Sequence, residues 1–384
     1  MNTYEINDVR KQSDFKSISF SKFQKIKVKK ELIQCLISNK IESACYWTAE
    51  LICAGHFFDL WEAIILFISR YIHLGNPKIP IYIAMRFEKF KEIVMNGYGD
   101  NELSLRNNIK IRQLYAEIIC VLCSSRKKHT FEPIKIKKED EFNMAFMSTR
   151  LKAPTIQYCA SIFKKEDPKE LYIATNELSY HISSESKNAV SCCYWLEWIL
   201  EYEVLCNRRK DKCICERRSF APVQEKYQTD IVWIVWDIIL RECSNKNNEL
   251  ITKIINSLLL IFSIKYTGGV KKRRRFIIYF AISLLTEKID LDVPMISNQK
   301  EIANVIKKIN IIYKDIKKNE HSPNTDYLFI EHKEKSNLDK TIERLEKMNK
   351  ILNGKQNNAI HTDTDNNELN ANINVTPQEP VDYM

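Results

Sequence analysis

Three features of this sequence predict an all-α fold, built mainly of α-helices. Apolar residues recur at intervals of three and four along the long segments. Glycine is scarce, at 7 in 384 residues, and proline is modest at 10. No set of alternating apolar and polar runs could build a large sheet, and so few turn-formers do not suit a sandwich or barrel.

The elements follow in order. Residues 1–19 read as an N-terminal arm. Leu60, Trp61, Ile64, Ile65, Phe67, Ile68, Tyr71 and Ile72 trace one helical face. Gly75-Asn76-Pro77 ends that helix, because proline cannot continue one. The same spacing predicts helices over 111–124, 230–243, 249–264 and 274–287. Residues 291–335 read as a charged linker holding a short helix near 299–318. Residues 336–353 form an amphipathic helix, capped by Ser336 with Asp339 three residues on and closed by Gly354. Its stripe is Leu338, Ile342, Leu345, Met348 and Leu352, and it either docks on the body or pairs with a partner helix. The Asn-, Thr- and Asp-rich residues 354–384 are expected to be disordered.

The chain repeats itself. Ser43-Ala-Cys-Tyr-Trp47 and Ser191-Cys-Cys-Tyr-Trp195 are nearly the same five letters. Leu60-Trp61-Glu62 is matched by Val235-Trp236-Asp237, and the Arg112–Tyr115 helix by the Arg275–Tyr279 helix. Three matches in one order predict two tandem duplicated lobes, residues 20–150 and 151–290. All six tryptophans lie in these segments and are expected to anchor the core. Trp47 and Trp61 are 14 apart, whereas Trp195 and Trp236 are 41 apart, so the second lobe carries an insertion at about 203–229.

Ala44-Cys-Tyr-Trp-Thr-Ala-Glu-Leu-Ile-Cys-Ala-Gly55 is similar to a helix in the C-terminal helical region of clamp-loader-like AAA+ ATPases. The likeness covers a dozen residues and implies a helical neighbourhood only. The phosphate-binding loop of that family is missing, so ATPase activity does not come with it. Over the whole chain, the lysine- and isoleucine-rich composition resembles proteins of large nucleocytoplasmic DNA viruses. That resemblance implies an intracellular setting, in host cytoplasm, nucleus or virion.

The formal net charge of +10 favours polyanionic partners. Two basic clusters concentrate it. One is Arg208, Arg209, Lys210, Lys212, Arg217 and Arg218 in the insertion, and the other is Lys271, Lys272, Arg273, Arg274 and Arg275. The second sits where a helix should start, and cations there oppose the helix macrodipole. A bound phosphate would compensate, held by side chains and free N–H groups together. Against this stand a solvated charge run and a nuclear-import-like signal. Tyr266 or Phe220 would supply a stacking ring for a base.

Cys206, Cys213 and Cys215 lie in the same insertion. Zinc would need a fourth ligand from Cys192, Cys193, His181 or Cys243, and the spacing fits poorly. The alternative is free thiols whose pKa is lowered by nearby arginines. No metal or other cofactor is therefore assigned.

The start of the chain has no apolar signal region, and no apolar run reaches the length of a membrane helix. Many of the 12 cysteines sit in apolar helical text, which favours a reducing compartment. No catalytic motif is present, and the seven histidines are scattered. The expected function is a non-catalytic scaffold contacting nucleic acid, or a complex that carries it, through a basic face of the second lobe. The alternative is a protein-binding structural or virion component without nucleic-acid affinity.

Overall fold

Asparagine, abundant in this chain, starts five helices among the described residues. The side chains of Asn108, Asn143, Asn188, Asn248 and Asn298 each accept a hydrogen bond from the first turn that follows. Each satisfies backbone donors that have no partner within the helix.

The computed structural model describes residues 4–98, 102–137, 141–321 and 336–353. It is all-α, as the apolar spacing predicts. The first half holds α1 (Lys25–Ile37), α2 (Ile41–Cys53), α3 (Phe57–Phe67), α4 (Ile79–Met95) and α5 (Ile109–Ser124). A π-turn over Ile68–Ile72 prolongs α3. After the short α6 (Met144–Arg150), the second half holds α7 (Tyr172–Ile182), α8 (Ala189–Arg209), α9 (Val232–Asn245), α10 (Glu249–Ser263), α11 (Val270–Arg273) and α12 (Arg275–Thr286). The last helices are α13 (Gln299–Lys317) and α14 (Ser336–Asn353). Among the described residues there is no sheet, only the bridges Ile18–Gln24 and Ile214–Asp230.

The packing order runs in parallel in the two halves. α1 lies on α2, α2 on α5 and α4 on α5, while α7 lies on α8, α8 on α12 and α10 on α12. The halves meet where α4 packs on α10 and where α12 packs on the π-turn. One hydrophobic core runs through both. All six tryptophans are in it, Trp61 against Phe87 and Phe90 of α4, and Trp236 against Phe262 of α10. Behind the π-turn, Gly75 lies against a neighbouring strand of backbone. A Cβ there would stand 2.5 Å from the Arg126 carbonyl oxygen.

The helix expected near 299–318 is present as α13. Three segments pack differently from expectation. α13 is not part of a linker: it buries Ile309, Tyr313 and Ile316 against α5 and α2. The N-terminal arm is part of the core: Ile6 and Phe15 are buried, and the Ile6 N–H donates to Asn107 Oδ1 at 2.9 Å. The expected insertion is helix as far as Arg209, and its loop starts at Lys210 (φ +61°). α14 docks on α2, with Leu345 buried. Residues 322–335 of the linker and the 354–384 tail lie outside the described residues. No described helix is long and apolar enough to cross a membrane, and all 12 cysteines are buried and free.

Candidate polyanion interface

Helix α8 carries carboxylates at Glu197, Glu201 and Glu203, of which the first two are one turn apart. The second basic cluster runs antiparallel beside them. Arg275 donates to Glu197 at 2.9 Å, Lys272 to Glu201 at 2.7 Å, and Lys271 to Glu203. Lys271 also binds both oxygens of Asp230 at 2.8 Å. Tyr279 adds its hydroxyl to Glu197 at 2.8 Å, and Tyr266 adds its own to Asp230 at 2.9 Å. Burial pushes the Glu197 and Glu203 carboxyls above their usual range, and Arg275 and Lys271 respectively act against that push.

Arg274 turns the other way. It is 2% exposed, pairs with Glu62 of α3, and donates to the carbonyls of Phe262 and Ile264 at 2.6 and 2.7 Å. The cations at the start of α12 do oppose the macrodipole, but carboxylates of α3, α8 and the α9 approach compensate them. The phosphate expected for Lys271 and Arg274 thus has its place taken by protein carboxylates, because a buried cation is held only where an anion is buried with it.

Arg218 in the first cluster is likewise internal. It is 1% exposed, forms a two-point pair with Asp167 at 2.7 and 3.1 Å, and reaches Asp237 at 3.0 Å. Arg217 is exposed and paired with Glu225 at 2.8 Å. Tyr266 is buried against Trp233 and Phe262, so it offers no face to a base, and Phe220 is half-buried.

What stays outside is a smaller set. Arg208, Arg209 and Lys210 end α8, Lys212 follows, and Arg273 projects between the paired cations; all five are exposed. Among the described residues none of them forms an ion pair. The ladder aligns Arg273 with the middle of α8, roughly 10 Å along the helix from Arg208 at 1.5 Å per residue. Arg208 and Arg209 also suit the negative end of the α8 macrodipole.

The cysteines do not converge on a metal. Among the described residues no three ligating side chains are grouped for one. Cys213 neighbours Cys206, while the Cys215 thiol faces the Asp230 carbonyl at 3.3 Å. Three of the four suggested further ligands point elsewhere: Cys192 to the Leu178 carbonyl, His181 to Glu177 and Cys243 to Thr252. Nor do arginines prevail at Cys213 and Cys215: burial raises both thiols, Cys215 to about 12, outweighing the pull of Arg218.

Sequence reasoning missed the partners of the cations. Glu197 and Glu201, acids at helical spacing in an apolar aromatic helix, were the available signal. Glu50 is a similar acid: fully buried in α2, it accepts from Ser19 Oγ at 2.7 Å and the Ser21 N–H at 2.9 Å, so it pins the N-terminal segment.

No family model, curated protein or solved structure matches this chain, so the likeness of residues 44–55 to clamp-loader helices rests on the sequence of α2 alone.

Proposed function

We propose that this chain is a non-catalytic helical scaffold that contacts nucleic acid, or a complex that carries it, in replication, transcription or packaging. The contact is made by Arg208, Arg209, Lys210, Lys212 and Arg273. The observation that carries this reading is their exposure on adjacent elements with no ion pair among the described residues, in a chain whose other clustered cations are paired with its own carboxylates. Such a surface binds phosphates with strong salt dependence and little sequence preference. The scaffold works in a reducing compartment, the host cytoplasm or nucleus if viral, where 12 buried thiols stay free. Its two halves descend from a duplication, a reading supported by the repeated Cys-Tyr-Trp and the shared packing order.

Fluorescence anisotropy with labelled duplex and single-stranded DNA across a salt series tests this. The expected result is binding at low salt with a steep log–log slope. Replacing Arg208, Arg209 and Lys210 by glutamine lowers that slope by roughly 0.9 per lost phosphate contact. Absence of binding at low salt overturns the reading.

A further inference from the structure

We infer that Cys206 and Cys213 are a reversible redox pair whose disulfide clamps the turn carrying most of the exposed cations. The disulfide chemistry stands by itself, and its effect on binding rests on the polyanion reading.

The turn after α8 brings the two thiols together. α8 ends at Arg209, and Lys210 takes a left-handed conformation (φ +61°) that folds the chain back. The Asp211 N–H returns to the Cys206 carbonyl at 2.9 Å, and the Cys215 N–H donates to the Thr229 carbonyl at 2.9 Å. Held at both ends, this segment sets the Cys213 thiol beside that of Cys206. Cys215 does not compete, because its thiol faces the Asp230 carbonyl at 3.3 Å.

Access singles out the same pair. Cys206 is 7% exposed and Cys213 8%; only Cys35 matches them, and the remaining cysteines stand at 3% or less. Cys45, Cys120 and Cys123 also lie near one another, but in the interior of the first half at 2% or less. A disulfide near the surface is of the easily reduced, regulatory kind, whereas structural ones resist reduction.

Position gives the pair its consequence. Between the two sulfurs lie Arg208, Arg209, Lys210 and Lys212, four of the five exposed cations that form no ion pair among the described residues. Closing the bond brings the sulfurs to about 2.0 Å and restricts the turn. A turn already restricted loses less entropy when it meets phosphates. No cation is added or removed, so affinity rises while the salt slope stays the same.

The oxidant is a small-molecule disulfide, such as glutathione disulfide. The thiolate of one cysteine attacks a glutathione sulfur, and one glutathione leaves as its thiolate. The other cysteine gives its proton to solvent and attacks the protein-side sulfur of the mixed disulfide, expelling the second glutathione. The protein loses two electrons and two protons, and glutathione disulfide is reduced to two thiols. Burial pushes the Cys213 thiol up, so closure is slow near neutrality and quickens as pH rises.

The test equilibrates the reduced full chain with glutathione and glutathione disulfide at graded ratios, then alkylates, digests and sequences it by mass spectrometry. The expected product is one intramolecular disulfide between Cys206 and Cys213, assigned by fragmentation of the linked peptides and reopened by excess glutathione, with unchanged circular dichroism. Oxidation should lower the Kd for labelled duplex DNA at least about threefold at an unchanged salt slope. Cys213→Ser should keep the affinity of the reduced protein under both conditions. A folded protein that forms no disulfide, or one between other cysteines, overturns the inference. A Cys206–Cys213 disulfide that leaves DNA affinity unchanged overturns its regulatory role. If the disulfide forms and neither state binds DNA, the polyanion reading fails while the redox pair is supported.

Discussion

Arg274 and Glu62, 212 positions apart, form a buried ion pair that joins the two halves of the molecule. The same guanidinium also holds the carbonyls of Phe262 and Ile264 at the C-terminal end of α10, which have no partner within that helix. One side chain thus fastens the start of α12 to α3 and to the end of α10.

Removing that arginine should cost far more than an ordinary surface substitution. Arg274→Met leaves Glu62 facing an apolar interior and two carbonyls unmet, and is expected to cost about 3–5 kcal/mol. Glu62→Met should cost less, and Arg274→Met with Glu62→Met should recover part of the loss. Urea unfolding of the four proteins measures the coupling.

Stability and polyanion affinity should separate cleanly between the two kinds of cation. Lys271→Gln breaks a buried pair with Glu203 and Asp230, and should lower the urea midpoint without changing the salt slope of DNA binding. The triple glutamine variant at Arg208, Arg209 and Lys210 should do the reverse. If Lys271→Gln lowers the slope as much as the triple variant does, the division between internal and external cations fails.

His73 should make the protein acid-sensitive. It is 2% exposed, its ring lies 4.8 Å from that of Phe280, and burial lowers its pKa from 6.5 to about 4. With the folded pKa below the unfolded one, its contribution is full above pH 6.5 and is lost as pH falls towards 4. The size is about 3 kcal/mol at 1.36 kcal/mol per unit. His73→Asn, which replaces the imidazole by a neutral polar side chain, should remove this part of the pH dependence. Glu50, Glu197 and Glu203, whose pKa values burial raises, act in the opposite sense in both proteins and cancel in the difference. Denaturation curves at pH 7, 5.5 and 4 decide it.

Gly75→Ala should destabilise by about 1–3 kcal/mol, the range for overpacking. The added Cβ meets backbone atoms of Arg126, Lys127 and Lys128 at 2.5–2.8 Å, and backbone cannot rotate aside as a side chain can. A thermal melt showing no loss would mean that segment 126–128 moves freely.

Thiol labelling should be slow in the native protein and reach all 12 cysteines only on unfolding. Burial raises Cys215 to about 12, which leaves almost no thiolate at neutral pH. Rapid native labelling at Cys206, Cys213 or Cys215 would contradict the buried geometry.

Much of this molecule was legible in the chain because helices are local. Repeats at three and four and Pro77 place α3, α5, α9, α10 and α12 within a few residues. The tryptophans announced the core because burying a large, mostly apolar ring removes the most area from water. The local sequence could not say which charges face inward. Lys271, Arg274 and Arg218 look like any basic run, and their burial depends on Glu203, Glu62 and Asp167, which lie 68, 212 and 51 positions away. Likewise, nothing local showed that α13 belongs to the core. Helical periodicity is a property of neighbours along the chain and was determined by the sequence alone. Charge compensation and packing are properties of neighbours in space, which only the tertiary structure decided.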